Sequence, residues 1–151
     1  MAQVVSAVVT DAWRAKLAQI YAGILSFSAP LSFRIGEGGW QDPGGGKEPL
    51  PPDIALTDVT AAGFPVGSQY IFTKNLAGTD VTFTAPTRLE IRCFVGASEA
   101  NDDGSGAAPE FFELGIFDGA SGAGTMLAYS TFPIEIKTSS KALEHVIFVD
   151  F

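Results

Sequence analysis

The sequence predicts a mainly β fold: an antiparallel β-sandwich-like domain with one N-terminal amphipathic α-helix. Three observations carry that expectation. Past residue 68 the chain is a series of short runs rich in β-branched and aromatic residues, separated by Gly, Asn, Asp and Pro. In two of those runs apolar and polar residues alternate strictly, as in a strand with one dry face. Helical periodicity is confined to the stretch after Thr10. A chain of 151 residues suits one domain. Its parts are an arm and helix over 1–30, a strand and a Gly/Pro-rich loop over 31–68, and antiparallel strands over 69–151.

Residues 3–9 form an apolar strand or extended arm. Thr10 then offers an N-cap, and Asp11 in the first turn suits the positive helix end. From Trp13 the apolar residues Leu17, Ile20, Tyr21 and Ile24 recur on one helical face, with Arg14, Lys16 and Gln19 on the wet side. The helix should end within 23–28, ahead of Pro30, and be the one long helix. A short strand over 31–35 follows. Residues 36–52 hold Gly44, Gly45 and Gly46 and then Pro49, Pro51 and Pro52, so a long loop without regular elements is expected. A loop of that length in a compact domain usually contacts a partner.

Strands are expected over 69–74, 79–85, 88–95, 110–117, 126–132 and 144–151. Val81, Phe83 and Ala85 alternate with Asp80, Thr82 and Thr84; Leu89, Ile91, Cys93 and Val95 alternate with Arg88, Glu90 and Arg92. The breaks at 75–78 and 85–87 are short enough for antiparallel hairpins. Residues 96–109 and 118–125 are Gly, Ala, Ser and Asp loops, and no internal repeat is present.

Composition narrows the function classes. Apolar residues make up 46% of the chain and charged residues 17%, so disorder driven by charge is excluded. No apolar run approaches the roughly 20 residues of a membrane span, and the N-terminus lacks the pattern of a secretion signal, so neither is expected. An apolar chain of this kind most simply hides surface against other subunits. Acids outnumber bases by 17 to 9, giving a net charge of −8, which disfavours nucleic acid. Residues 1–95 hold 8 acids and 7 bases, whereas 96–151 hold 9 acids and 2 bases, so any electrostatic docking surface should be acidic and C-terminal. Cys93 stands alone, which excludes an intrachain disulfide and suits a core thiol. One His145 and one cysteine exclude Cys/His zinc clusters, and a Cys/His nucleophilic pair would need the strands to bring the two together.

Motif checks find no catalytic set. Asn101-Asp102-Asp103-Gly104-Ser105-Gly106 copies the start of a calcium loop, but its twelfth place is Phe112 instead of a bidentate acid, so it is a solvated turn. Around Gly44 to Lys47, Gln41 and Glu48 stand where a phosphate loop needs Gly and Ser or Thr. Gly36-Glu37-Gly38-Gly39 lacks the dinucleotide spacing and is a turn. Glu113, Asp118 and Glu135 are scattered acids, with nothing to single out an acid/base pair. Most aromatics sit at alternating strand positions and belong to the core. Trp40 lies in the Gly-rich loop, where it is either the loop's anchor or an interface hot spot.

Three segments, taken in order, resemble the N-terminal attachment domain of bacteriophage tail-collar fibre proteins. They are the helix region 11–23 leading to Phe33-Arg34-Ile35-Gly36-Glu37-Gly38-Gly39-Trp40; Pro51-Pro52-Asp53 with Leu56-Thr57-Asp58; and Glu113-Leu114-Gly115-Ile116-Phe117-Asp118 followed by Gly124-Thr125-Met126-Leu127-Ala128-Tyr129-Ser130. The chain differs from that pattern in its extra Gly/Ala loop at 96–109 and in ending at Phe151, where a fibre would continue into a trimeric shaft. The resemblance implies a virion structural protein of a tailed phage, attaching or adapting a tail fibre to the baseplate or tail after synthesis in the host cytoplasm. Its implied partners are other tail, baseplate and fibre proteins, with a homo-oligomer such as a trimer in keeping. No cofactor, metal, catalytic residue, nucleic acid or membrane is expected. Interface candidates are Trp40, Gly38, Gly39, Pro51, Pro52, Phe148 and Phe151, the C-terminal residues being suited to strand addition or burial under a partner. A head decoration or neck protein would share the composition. A carbohydrate-binding β-sandwich would use Trp40, Trp13 or Tyr129 as stacking platforms.

Overall fold

The structure is a computed structural model that describes residues 3–24, 30–52, 70–84 and 86–150. Two sheets share one core, so the expected mainly β fold with an N-terminal helix is what the chain adopts. In chain order the strands are β1 (Gln3–Ser6), β2 (Val8–Val9), β3 (Ser32–Gly36), β4 (Trp40–Gln41), β5 (Glu48–Pro49), β6 (Tyr70–Asn75), β7 (Val81–Thr84), β8 (Arg88–Val95), β9 (Glu110–Phe117), β10 (Met126–Ile136) and β11 (Leu143–Asp150), with helix α1 (Asp11–Tyr21) between β2 and β3. The first sheet has the order β1-β11-β8-β7; the second is β2-β10-β9-β3-β6; β4 and β5 make a separate ribbon.

Cross-strand partners share a face, so the registers identify the inner faces. Ile91, Cys93, Val95, Leu143, Ile147 and Val149 come from the first sheet, and Phe33, Ile35, Leu114, Ile116, Leu127 and Phe132 from the second, all within one buried cluster. Trp13 brings α1 into the same cluster. Thr10 caps that helix, its Oγ1 accepting from the Trp13 amide at 3.1 Å while donating to the Met126 carbonyl at 2.7 Å. One residue thus starts the helix and ties it to β10. The N-terminal arm divides between the sheets: β1 runs parallel to β11, and β2 pairs antiparallel with β10 at Ala128 and Tyr129.

Four expectations need correction. The break at 75–78 is not a hairpin, because β6 pairs with β3 in the second sheet and β7 with β8 in the first. Leu76 donates its amide to the Leu31 carbonyl at 2.8 Å and packs on the core, carrying the chain across the sandwich. The Gly/Pro-rich loop does hold regular structure, since Trp40 pairs with Pro49 and Gln41 with Glu48. A two-residue ribbon tolerates the glycines at its tip and a proline on its edge. The C-terminal strand is not free for strand addition: β11 is an inner strand, with Phe148 paired to both Ser6 and Glu90. Finally, β10 continues to Ile136 instead of ending at Phe132, through an irregularity at Pro133. The expected strand ends at Ala85 and Phe151 lie outside the described residues.

Cys93 is fully buried, and burial, followed by the charge of Asp80, pushes its thiol well above the ordinary range. It should therefore ignore a thiol reagent such as dithionitrobenzoate at neutral pH in native protein and react in step with unfolding in denaturant; fast labelling of the native protein would contradict this core.

Candidate interaction surface

The outer face of the second sheet is covered by a flap made from residues 36–52. Strand β3 ends with Gly36 opposite Glu113 of β9, and the chain then turns back over the sheet. Glu113 has no exposed surface. Its Oε1 accepts from the Gly38 amide at 3.1 Å, and its Oε2 from the Tyr129 hydroxyl at 2.6 Å. Such bonds are what make a buried carboxylate tolerable. Burial, and then the Glu113 carboxylate, push the Tyr129 phenol far up, so it remains a neutral donor.

Gly39 lies against that pair at φ 78°, and a Cβ there would meet the Tyr129 hydroxyl at 2.7 Å. Its carbonyl accepts from the Leu50 amide at 2.9 Å, and the Leu50 carbonyl accepts from Thr131 Oγ1 at 2.5 Å. Leu50 also packs on a small buried cluster of Phe117, Met126 and Tyr129. Both arms of the flap are therefore fixed to β9 and β10. At the tip, Asp42 Oδ1 accepts from the amides of Gly44 and Gly46 at 2.8 and 3.2 Å, which closes the exposed turn on itself.

Trp40 anchors the flap and keeps part of its ring at the surface. Its Nε1 donates to the Glu37 carbonyl at 2.8 Å and its ring lies 6.1 Å from that of buried Phe112, so it anchors the flap. It also stays 36% exposed, with the Lys47 ammonium 4.6 Å from the ring centroid and paired to Glu110 at 2.9 Å. Gly38 and Gly39 serve the flap's own geometry. Pro51 is exposed and Pro52 half-buried. Phe148 is half-buried on the outer face of the other sheet, 4.7 Å under the Arg88 guanidinium, remote from the flap. Phe151, Asp53 and the segment 56–58 lie outside the described residues.

The sequence reading overlooked the end of β10. Thr131 faces Glu113 and Glu135 faces Phe111, so three residues, Phe132, Pro133 and Ile134, stand opposite Phe112 alone. Phe132 points into the core, and beyond the bulge it is Glu135 that faces inward while Ile136 shares the outer face with Glu110. Ile134 and Ile136 are consequently 42% and 48% exposed. The inward groups are accommodated one by one. Glu135 Oε1 lies 3.3 Å from Nε2 of the buried His145, whose ring stacks on Phe132 at 4.4 Å. Lys137 is buried, its ammonium donating to the carbonyls of Ala97 and Thr138 at 3.1 and 2.9 Å and to Asn101 Oδ1 at 2.6 Å. Burial lowers its pKa, against a smaller opposing pull from Glu99.

The strands do bring Cys93 and His145 together as cross-strand partners, but both are fully buried and the thiol is pushed up. That pair offers no accessible nucleophile. Asp118 accepts from the Thr125 amide at 2.7 Å and pairs with Lys16, tying α1 to the turn after β9. In the acidic loop Asp102 and Asp103 accept from the amides of Gly104 and Ser105 at 2.6 and 2.8 Å, as turn residues do. Compared with protein families, characterised proteins and solved structures, the chain matches none.

Gly39→Ala should cost about 1–3 kcal/mol in denaturant unfolding, because it adds left-handed strain to a collision with Tyr129; an unchanged midpoint would mean the flap is not pinned there. Acid should act on the loop that holds Lys137. The Lys74 ammonium, and then the Gly96 amide, hold the Glu99 carboxyl below its ordinary range. The stability it lends is present above that range and lost as pH falls through its lowered value. The Gly96 amide resonance should therefore shift with a midpoint below the ordinary carboxylate range, and in Lys74→Met that midpoint should move to higher pH.

Proposed function

We propose that this chain is a structural assembly module of a tailed bacteriophage virion, attaching or adapting a tail fibre to the baseplate or tail. The observation that carries this reading is the flap: a 36–52 segment fixed by one arm to the buried Glu113 carboxylate and by the other to Thr131 of β10, which holds a partly exposed Trp40 in one place on an acidic chain. A binding surface gains from such preorganisation, because its anchor loses little freedom on docking. The resemblance to tail-collar attachment domains supports the same reading. Two of its segments meet here, since Gly38 of the Gly-acid-Gly-Gly turn donates to Glu113 of the strand motif, and Tyr129 of the following strand completes the contact.

The role needs shape and apolar contact instead of a reacting group. Exposed apolar side chains are supplied at several places, among them Tyr21 at 91% exposure, Ile24 at 71% and Phe83 at 69%. Single exposed residues of this kind are ordinary on a monomer, but so many large ones on a 151-residue chain suit a protein that works between neighbours.

The test is the mass of the purified protein in solution by light scattering, alone and mixed with tail and baseplate proteins of a phage. A defined oligomer or a stable complex is expected. Trp40→Ala should weaken that complex about tenfold or more, as loss of an aromatic anchor does, with an unchanged circular dichroism spectrum. A monomer that ignores those proteins and instead retains glycans on an array would overturn the assembly reading.

A further inference from the structure

Lys137 is buried in a cage of neutral oxygens. Its ammonium donates to the carbonyls of Ala97 and Thr138 at 3.1 and 2.9 Å and to Asn101 Oδ1 at 2.6 Å, and none of these carries a charge. A buried charge is ordinarily paired with an opposite one. Glu99 lies in the same loop and its charge is felt at Lys137, but its Oε1 is taken by the Lys74 ammonium at 2.7 Å and the Gly96 amide at 2.8 Å. The cage therefore leaves a cost that loss of the positive charge would remove.

Of the three acceptors, Asn101 alone offers a group that can be displaced. Attack on the carbonyl carbon of Ala97 or Thr138 would cut the main chain, whereas the Asn101 side-chain amide carries an amino group that can leave with the chain intact. One atom holds both partners, since the Ala97 carbonyl accepts from Lys137 Nζ at 3.1 Å and from Asn101 Nδ2 at 2.8 Å. This fixes the amide with its oxygen toward the amine, and Cγ is the next atom beyond that oxygen. Fixed proximity of this kind replaces a slow encounter of separate molecules with a reaction inside one. The backbone is also strained to present the amide. Ala100, packed on the core, holds φ at 52°, a left-handed conformation that costs a residue with a Cβ. Burial lowers the pKa of Lys137, which enlarges the share of the uncharged, nucleophilic amine.

We propose that Lys137 and Asn101 join in an intramolecular isopeptide bond, with the Glu99 carboxylate relaying protons between them. Lys137 Nζ forms a bond to Asn101 Cγ while the Cγ–Nδ2 bond breaks. Two protons of the lysine ammonium pass by way of Glu99 to Nδ2, which departs as an ammonium ion, so one cation enters the reaction and one leaves it. The product is a neutral amide that ties the residue after β10 to the 96–109 loop. This inference stands on the cage and is independent of the assembly reading.

The test is the intact mass of the purified full chain in denaturant, followed by a proteolytic map. The chain should be lighter than its own sequence by one ammonia, with residues 101 and 137 in one linked peptide and no tryptic cleavage after Lys137. Lys137→Met and Asn101→Ala should each keep the full mass of their own sequences. Glu99→Gln should slow formation about tenfold or more. A wild-type chain that keeps its full sequence mass after prolonged incubation would overturn the proposal, and that result needs no variant to fold. So would an ammonia loss that persists in Lys137→Met, since Asn101 would then have closed on the backbone as a succinimide. Linkage at an unchanged rate in Glu99→Gln would overturn the part given to that carboxylate.

Discussion

A carboxylate with no exposed surface in the five-stranded sheet governs what lies over that sheet. Glu113 sits on β9, the strand between β10 and β3, and is wholly shielded from the solvent surface. An ionisable group in that position must be given donors. It receives them from a tyrosine on the neighbouring strand and from the backbone of the flap. The second donor is decisive for architecture, because it requires the chain to turn back immediately after β3. Gly38 and Gly39 are there because an amide must approach the carboxylate and a left-handed residue must pass within contact of the Tyr129 hydroxyl oxygen. Everything farther along the flap, including the orientation of Trp40, follows from that attachment.

The same sheet shows how polarity can be inverted across a bulge. Before Pro133 the inward positions of β10 are uncharged, and after it come Glu135 and, just past the strand's end, Lys137. Proline suits this place because it sits at a bulge, where a ladder hydrogen bond is already lost. The acidic 96–109 loop has a structural task as a result. Its Ala97 carbonyl and Asn101 side chain complete the Lys137 cage, and Glu99 holds Lys74 of β6 at 2.7 Å. The 96–109 loop is thus part of what makes the bulge tolerable.

Much of the fold was legible because strand and helix periods are local properties. The alternation across 88–95 and the apolar run over 110–117 gave β8 and β9 at their observed bounds, and Thr10 with Asp11 gave the start of α1. The flap was legible as a long loop with Trp40 as its one unexplained aromatic. Less local features were missed. A short break such as 75–78 looks the same whether the chain reverses within a sheet or crosses to the other one, and only the packing of Leu76 decides between them. The segment from Phe132 to Ile136 carries alternating apolar residues that argue for an inward Ile134 and Ile136, so the pattern itself concealed the bulge.

The sequence by itself determined the class of the fold, the N-terminal helix, the buried solitary thiol and the acidic C-terminal third, because each follows from residue type and spacing along the chain. The tertiary structure alone decided that Glu113, Tyr129 and Gly38 meet, that Cys93 and His145 are neighbours, that β11 is enclosed on both sides, and that two isoleucines face outward. Those outcomes depend on register between strands far apart in sequence. Shifting a pairing by one residue changes which face every side chain occupies while leaving the local pattern untouched.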